Sequence, residues 1–239
     1  MTNTQTMIQG DCLDLMMGMP DAAFDAIITD PPYSSGNSVM NSKSDPRDKY
    51  NLSQAFPSFR NDSHDQRIHM LWTIHWLSLA LRITRPGGWL MLFSDWRQLP
   101  LVSDAMQLTG WTWRGVVVWD KTEGCRPNPG MFRQQCEYIL YATNGSRMPG
   151  PRCFPAGIFR ASIPSRKNRH HMTGKPVALM EHLMTVLPAQ SKILDPFAGS
   201  GSTLAAAQNL GHAATGIELS PAYYRIACNR LGLALASYY

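Results

Sequence analysis

Short apolar runs alternate with amphipathic stretches along most of the chain, and most runs stop at a proline, a glycine or an acid. Residues 7–9 read as a short strand ending at Gly10-Asp11. Residues 24–29 form an apolar run stopped by Asp30-Pro31-Pro32, because two prolines cannot continue a central sheet. Over residues 68–83 the apolar positions recur at helical spacing, with Ile68, Leu71, Ile74, Leu77 and Leu81 near one face and Trp72 and Trp76 widening it. Pro86-Gly87-Gly88 ends that helix. Residues 89–93 read as a buried strand, 101–109 as a helix stopped by Gly110, and 113–119 and 136–142 as two further strands. Pro176 suits the first turn of a helix, and Met180, Leu183, Met184 and Leu187 then fall at i, i+3, i+4 and i+7. Residues 192–194 are a strand, 202–210 a helix, 213–217 a strand and 221–233 a last helix. This alternation predicts an α/β protein with a mostly parallel sheet. Two long polar stretches, 34–67 and 144–172, lack periodicity; connections of that length are usually functional or disordered.

Composition narrows the class. A chain of 239 residues, 44% hydrophobic and 16% charged, suits one sizeable domain with a buried core. No apolar run approaches the roughly 18 residues of a membrane helix, and the polar N-terminus lacks the features of a signal peptide. Cys12, Cys125, Cys136, Cys153 and Cys228 are scattered without a C-x-x-C. They read as small core or surface residues in a reducing compartment, which points to the cytoplasm. The net charge is +5, and the excess is concentrated. Residues 138–180 contain no Asp or Glu but carry Arg147, Arg152, Arg160, Arg166, Lys167, Arg169 and Lys175. A basic face of this kind favours a polyanion, although an ordinary solvated face has the same composition.

Leu194-Asp195-Pro196-Phe197-Ala198-Gly199-Ser200-Gly201-Ser202-Thr203 is a strand, a glycine turn and a helix start. The glycines permit a sharp turn and the close approach of a ligand. Glu218 stands 19 residues beyond Gly199, at the end of the next strand, where a doubly wound fold places an acid for a ribose diol. No third glycine follows and no P-loop lysine is present. An adenosine without a pyrophosphate therefore fits better than a dinucleotide; the alternative is a tight connection with no ligand. Only one strand follows this turn. Residues 7–9 supply the missing continuation if the domain is circularly permuted. Asp11 then stands at the carboxyl edge, able to accept from an adenine amino group, with Cys12 following; alternatively it caps a helix before Leu13.

Asp30-Pro31-Pro32-Tyr33 follows a buried strand at the same edge. An exocyclic base amine is a poor nucleophile because its lone pair is delocalised into the ring. A carboxylate and a backbone carbonyl accepting its two N–H bonds would draw the nitrogen toward tetrahedral geometry and free that pair. Asp30 supplies one acceptor and the Pro31 carbonyl the other, with Pro31 and Pro32 fixing their aim. Tyr33 offers a flat face to a base rotated out of a duplex. A proline-rich turn that merely closes a strand is the competing reading.

With these segments the chain resembles the β-class amino-methyltransferases of DNA, whose catalytic segment comes first and cofactor segment last. Three blocks carry the resemblance: Gly10-Asp11-Cys12-Leu13 through to Thr29-Asp30-Pro31-Pro32-Tyr33; His171-Met172-Thr173-Gly174-Lys175-Pro176; and residues 195–203 with Gly216-Ile217-Glu218. Pro86-Gly87-Gly88 and Trp119-Asp120-Lys121 are weaker matches. The resemblance implies a single domain over residues 1–239, a circularly permuted Rossmann-like fold with a mostly parallel seven-stranded sheet and helices on both faces. It implies S-adenosylmethionine as cofactor, bound by Asp11, Cys12, Asp30, Thr173, Lys175, Asp195, Phe197, Ala198, Gly199, Ser200, Gly201, Glu218 and Leu219. Thr173 and Lys175 would approach its methionine end, Glu218 its ribose and Asp11 its adenine. Met172 and Gly174 depart from the family's Pro and Gln. D-P-P-Y is the form typical of adenine N6 enzymes and S-P-P-Y of cytosine N4 enzymes. Cytosine N4, an RNA base, or a catalytically silent DNA-binding protein are the alternatives. DNA contacts are expected from Lys43, Arg47 and Lys49 in the first polar stretch and from Arg160, Arg166, Lys167 and Arg169 in the second. The resemblance also suggests a bacterial or phage-encoded enzyme of the restriction-modification type, often dimeric, with the short chain suggesting a solitary one. No histidine spacing suggests a metal, and Trp72, Trp76, Trp89 and Trp111 read as core.

Overall fold

The computed structural model describes residues 4–33, 66–125, 127, 129–162 and 175–235. In chain order the elements are β1 (Gln5–Gln9), α1 (Cys12–Met17), β2 (Phe24–Thr29), α2 (Gln66–Ile83), β3 (Thr84–Ser94), α3 (Leu99–Leu108) and β4 (Thr112–Asp120). They continue with β5 (Cys136–Thr143), β6 (Ile158–Arg160), α4 (Val177–Met184), β7 (Lys192–Asp195), α5 (Ser202–Asn209), β8 (Ala213–Glu218) and α6 (Pro221–Leu231).

The strands form one sheet in the order β1-β8-β7-β2-β3-β5-β4-β6. All its ladders are parallel except β3–β5 and β5–β4. β1 lies parallel to β8, with Met7 opposite Gly216 and Gln9 opposite Glu218. The first strand therefore continues the sheet where the last leaves off, as the permuted order requires. The fold is α/β with eight strands among the described residues, not seven. The additional strand, β6, has only three residues and falls in a stretch read as aperiodic. It is too short to show a period of two, and its pairing with Val118–Asp120 defines it.

Strand alternation divides the core into two layers. Ala26, Ile28, Met91, Phe93, Ile193 and Ala214 face α4, α5 and α6, while Ile27, Leu90, Leu92, Leu194 and Ile217 face α1, α2 and α3. The buried face of α2 keeps the expected Trp76 and Leu77, with Trp72, Ile74 and Leu81 packed partly buried against the same core, but departs from the apolar spacing in its first turns. Ile68 and Leu71 are 55% and 68% exposed, while His69, Thr73, Trp76, Leu77, Ala80 and Ile83 are buried. Trp76 and Leu77 anchor that face, and Thr73 is tolerated there because its hydroxyl donates to the His69 carbonyl at 2.8 Å. Trp76, Trp89 and Trp111 are core residues. Pro86-Gly87-Gly88 lies inside β3 instead of separating it from α2. The register shift between Phe24 and Ala26 absorbs it. A Cβ on Gly88 would stand 2.8 Å from the Asp25 carbonyl oxygen, so this bulge depends on glycine. No helix among the described residues is long and apolar enough to cross a membrane.

The sheet sets the site. Parallel pairing brings the carboxyl ends of β1, β8, β7 and β2 to one edge, carrying Asp11, Glu218, Asp195 and Asp30 with them. The antiparallel arm adds the end of β4 and the start of β5 to that edge, because Tyr138 pairs with both Ser94 and Val118.

Candidate active site

Asp30 and Tyr33 close on each other, the tyrosine hydroxyl donating to Asp30 Oδ1. The other oxygen, Oδ2, is 2.7 Å from Lys175 Nζ. Lys175 immediately precedes Pro176, the N-cap of α4, a position that favours extended backbone. Its buried ammonium also lies 2.8 Å from Glu137 Oε2 and donates to the Tyr33 hydroxyl at 3.4 Å. Lys121 Nζ donates to Glu137 Oε1 at 3.1 Å. Two carboxylates and two ammoniums thus alternate at the carboxyl edge of the sheet. The rings of Phe93, Tyr33 and Trp119 lie 5.2, 5.5 and 5.9 Å from Lys175 Nζ, close enough for cation–π attraction.

Charge states follow from burial and partners. Burial raises the Asp30 carboxyl; Lys175 pulls it back and Glu137 pushes it up, leaving it above the usual carboxylate range. Burial likewise penalises the Glu137 carboxylate, but Lys175 and Lys121 hold it below its usual value. Burial opposes the Lys175 charge, yet Asp30 and Glu137 raise its pKa above that of an ordinary lysine. Burial, followed by the nearby Asp30 and Glu137 charges, keeps Tyr33 a neutral phenol.

At the glycine turn Gly199 and Gly201 adopt φ of 53° and 77°, the left-handed region natural to glycine. The Gly199 and Ser220 amides donate to Glu218 Oε2 and Oε1 at 2.9 and 2.7 Å. This fixes the carboxylate in place and leaves further lone pairs free. Burial raises its pKa. Phe197 packs edge-on against Trp76 and tilted against Trp72, both at 5.4 Å. Leu219 is exposed beside Glu218, while Ala198 and Ser200 are buried. Asp11 adopts the capping geometry: Oδ1 accepts from the Leu13 amide at 2.8 Å and starts α1, a helix the apolar pattern did not reveal. Cys12 is buried in its first turn, and burial followed by the Asp11 charge pushes its thiol up to about 12.

Asp195, expected among the cofactor-binding residues, has its side chain engaged within the protein. Its carboxylate turns inward, accepting from Thr29 Oγ1 at 2.7 Å, the Phe197 amide at 3.1 Å and Thr203 Oγ1 at 2.5 Å. It ties the glycine turn to β2, one residue before Asp30. Burial pushes it from 3.8 up to about 6. The folded value exceeds the unfolded one, so its stabilising contribution is present below about pH 4 and lost as pH rises through about 6. Asp195→Asn should remove this component. Relative to the variant, the wild-type protein should lose about 3 kcal/mol of unfolding free energy between about pH 4 and pH 7.5. Urea denaturation at several pH values checks this, and parallel curves would contradict it.

Arg160 stands on β6 with its guanidinium 3.5 Å from Asp120 Oδ2 and 3.0 Å from Glu123 Oε1. Those acids meet the charge that was expected to face DNA, although the side chain is 60% exposed. Lys43, Arg47, Lys49, Arg166, Lys167, Arg169 and Thr173 lie outside the described residues. Among the described residues no group of three His, Cys, Asp or Glu is placed to hold a metal ion. Glu137 escaped the sequence reading, and Lys121 was noted only within the weak Trp119-Asp120-Lys121 match, with no role. The available signal was a lone acid in the otherwise apolar run of β5.

The fold recurs in solved methyltransferases. The complex of M1.HpyAVI with SAM matches with a TM-score of 0.69 at 22% identity, covering 96% of this chain and 100% of that one. The cytosine-N4-specific PvuII DNA methyltransferase matches with a TM-score of 0.75 at 13% identity, covering 99% and 89%. These likenesses show the fold. In sequence, YubD of Escherichia coli (strain K12) is 31% identical over 229 residues, 94% of this chain and 88% of that protein. The DNA methylase family profile matches residues 24–148 and 155–229. The chain belongs to the DNA methylase family that modifies exocyclic N6 or N4 amines.

Proposed function

We propose that this DNA methylase transfers the methyl group of S-adenosylmethionine to N6 of an adenine rotated out of duplex DNA. The observation that carries the reading is the Asp30 carboxylate, held at the end of β2 by Tyr33 and Lys175 and followed by two prolines. Asp30 and the Pro31 carbonyl are the acceptors for the two N–H bonds of the target amine, and Tyr33 is the stacking surface. Aiming these acceptors before the base arrives removes the cost of reorganising them. Cytosine N4 is the second reading, because its amine presents the same two donors.

The chain's donor set fits the cofactor. Glu218, with lone pairs left after its two amide bonds, suits a ribose diol; Asp11 suits an adenine amino group; Phe197 supplies an apolar wall. When bound, S-adenosylmethionine supplies a methyl group made electrophilic by a sulfonium. The left-handed Gly199 and Gly201 allow close approach of the ligand to the backbone. Glu218→Gln should weaken cofactor binding about 10- to 100-fold, the loss expected of charged hydrogen bonds. Calorimetry reads this directly, and an unchanged affinity would remove Glu218 from the ribose site.

Lys43, Arg47, Lys49, Arg166, Lys167 and Arg169 are proposed phosphate or base contacts, so DNA affinity should fall steeply with salt. Arg160 joins them only by exchanging its two acids for phosphate. The test of substrate class is transfer of labelled methyl from S-adenosylmethionine to plasmid DNA and to RNA. Label in DNA alone supports the reading. Label in RNA alone, or in neither, would sink it.

A further inference from the structure

Glu137 belongs to none of the segments that carry the catalytic or cofactor residues. It stands on the antiparallel arm, and only the β5 register brings it to the site. Its carboxylate holds Lys175 at 2.8 Å, while Asp30 holds the same ammonium at 2.7 Å. One cation is therefore shared almost equally between two acids. Lys121, 3.1 Å from Glu137, closes the row. These side chains are only 5–21% exposed, so their charges are weakly screened.

The sharing matters for an amine nucleophile, and the argument rests on the methyl-transfer reading. As the nitrogen lone pair forms the N–C bond, the C–S bonding pair stays on sulfur and positive charge develops on nitrogen. The nitrogen then gives one proton to the Asp30 carboxylate, which passes it to water. Asp30 must therefore present negative charge to the amine. An ammonium paired with Asp30 alone would cancel that charge.

We propose that Glu137 is a positioning residue for methyl transfer, dividing the Lys175 ammonium with Asp30 so that Asp30 keeps its negative field toward the target amine. Lys121 sets the division from the other side by drawing on Glu137. Among the described residues, the other ionisable groups around the row are Tyr33 on the catalytic loop, Asp95 after β3 and Asp195 at the end of β7.

Opposite pH shifts provide the test. In Glu137→Gln, Lys175 settles on Asp30. The kcat should fall about 10- to 100-fold, and the acid limb of the kcat/KM profile should move to lower pH. In Lys121→Met, Glu137 draws Lys175 more strongly away from Asp30, and the acid limb should move to higher pH. Glu137→Asp should recover part of the kcat. Cofactor affinity measured by calorimetry should stay within about threefold in all three variants, which separates positioning from loss of the cofactor pocket. Should Glu137→Gln fail to fold, the upward shift in Lys121→Met still decides the matter. Active wild-type protein with unmoved or same-direction limbs would overturn this inference alone. Wild-type protein that transfers no methyl to DNA would overturn the reading beneath it as well.

Discussion

Asp30→Ala should lower kcat by at least about a thousandfold while leaving the protein folded. The catalytic part of this expectation follows from the atoms removed. The target amine loses a preorganised charged acceptor, and its nitrogen loses the negative charge that offsets its own. The structural part follows from what stays behind. Lys175 keeps Glu137 at 2.8 Å, so the variant does not orphan a buried cation. Asp30 follows β2 at the carboxyl edge of the sheet and is partly exposed, so no core volume is lost. Asp30→Asn restores an acceptor oxygen but not the charge, and should fall between alanine and wild type. Single-turnover methyl transfer and a thermal melt on the same preparations read both parts. An alanine variant within about tenfold of wild type would mean that the nitrogen is activated elsewhere.

Lys175→Met should cost stability more than any other single change at the site. It leaves Asp30 and Glu137 as neighbouring, largely buried carboxylates, of which, among the described residues, only Glu137 retains a cation, Lys121. Breaking a buried pair from one side costs about 3–5 kcal/mol, and the like charges add to the loss. Both carboxyls would then titrate in the fold above their unfolded values. Their stabilising contribution is present below those unfolded values and is lost as pH rises through the raised ones. The variant should therefore lie furthest below wild type near about pH 8 and recover toward about pH 5. Urea midpoints at the two pH values measure this, and equal midpoints near pH 8 would contradict the charge assignment. Since Lys175 touches Asp30 and Tyr33 directly, methyl transfer should fall with stability.

The parts of the fold and site that were legible in the sequence are those whose signals are local or adjacent. The prolines after β2, the glycines after β7 and the acid ending β8 mark strand ends, and parallel strands bring their ends to one edge. The pairing of β1 with β8 followed from the count of strands after the glycine turn. What was not legible depends on packing. At the start of α2 the buried positions are His69 and a threonine whose hydroxyl bonds within the helix, so simple apolar spacing misplaced Ile68 and Leu71 while placing Leu77 and Trp76 correctly. β6 exists only through its three-residue pairing with β4. The glycine-turn segment marked Asp195, but its bonds to Thr29 and Thr203 join residues distant in sequence or set by the turn and were not legible. Glu137 reaches the site through an antiparallel register that no local pattern encodes, and the Trp119-Asp120-Lys121 match did not reveal that Lys121 pairs with it. Lys175, Asp30 and Tyr33 were named from the sequence, but not the ion pair and hydrogen bonds that join them.

The central claim is that Asp30 activates the N6 amine of adenine in DNA. Unmodified plasmid DNA incubated with S-adenosylmethionine and the wild-type protein, then digested to nucleosides and analysed by mass spectrometry, tests it most directly. The account predicts N6-methyldeoxyadenosine as the methylated product, absent when Asp30→Ala replaces wild type. N4-methyldeoxycytidine in its place, or N6-methyldeoxyadenosine formed equally well by the variant, would contradict it.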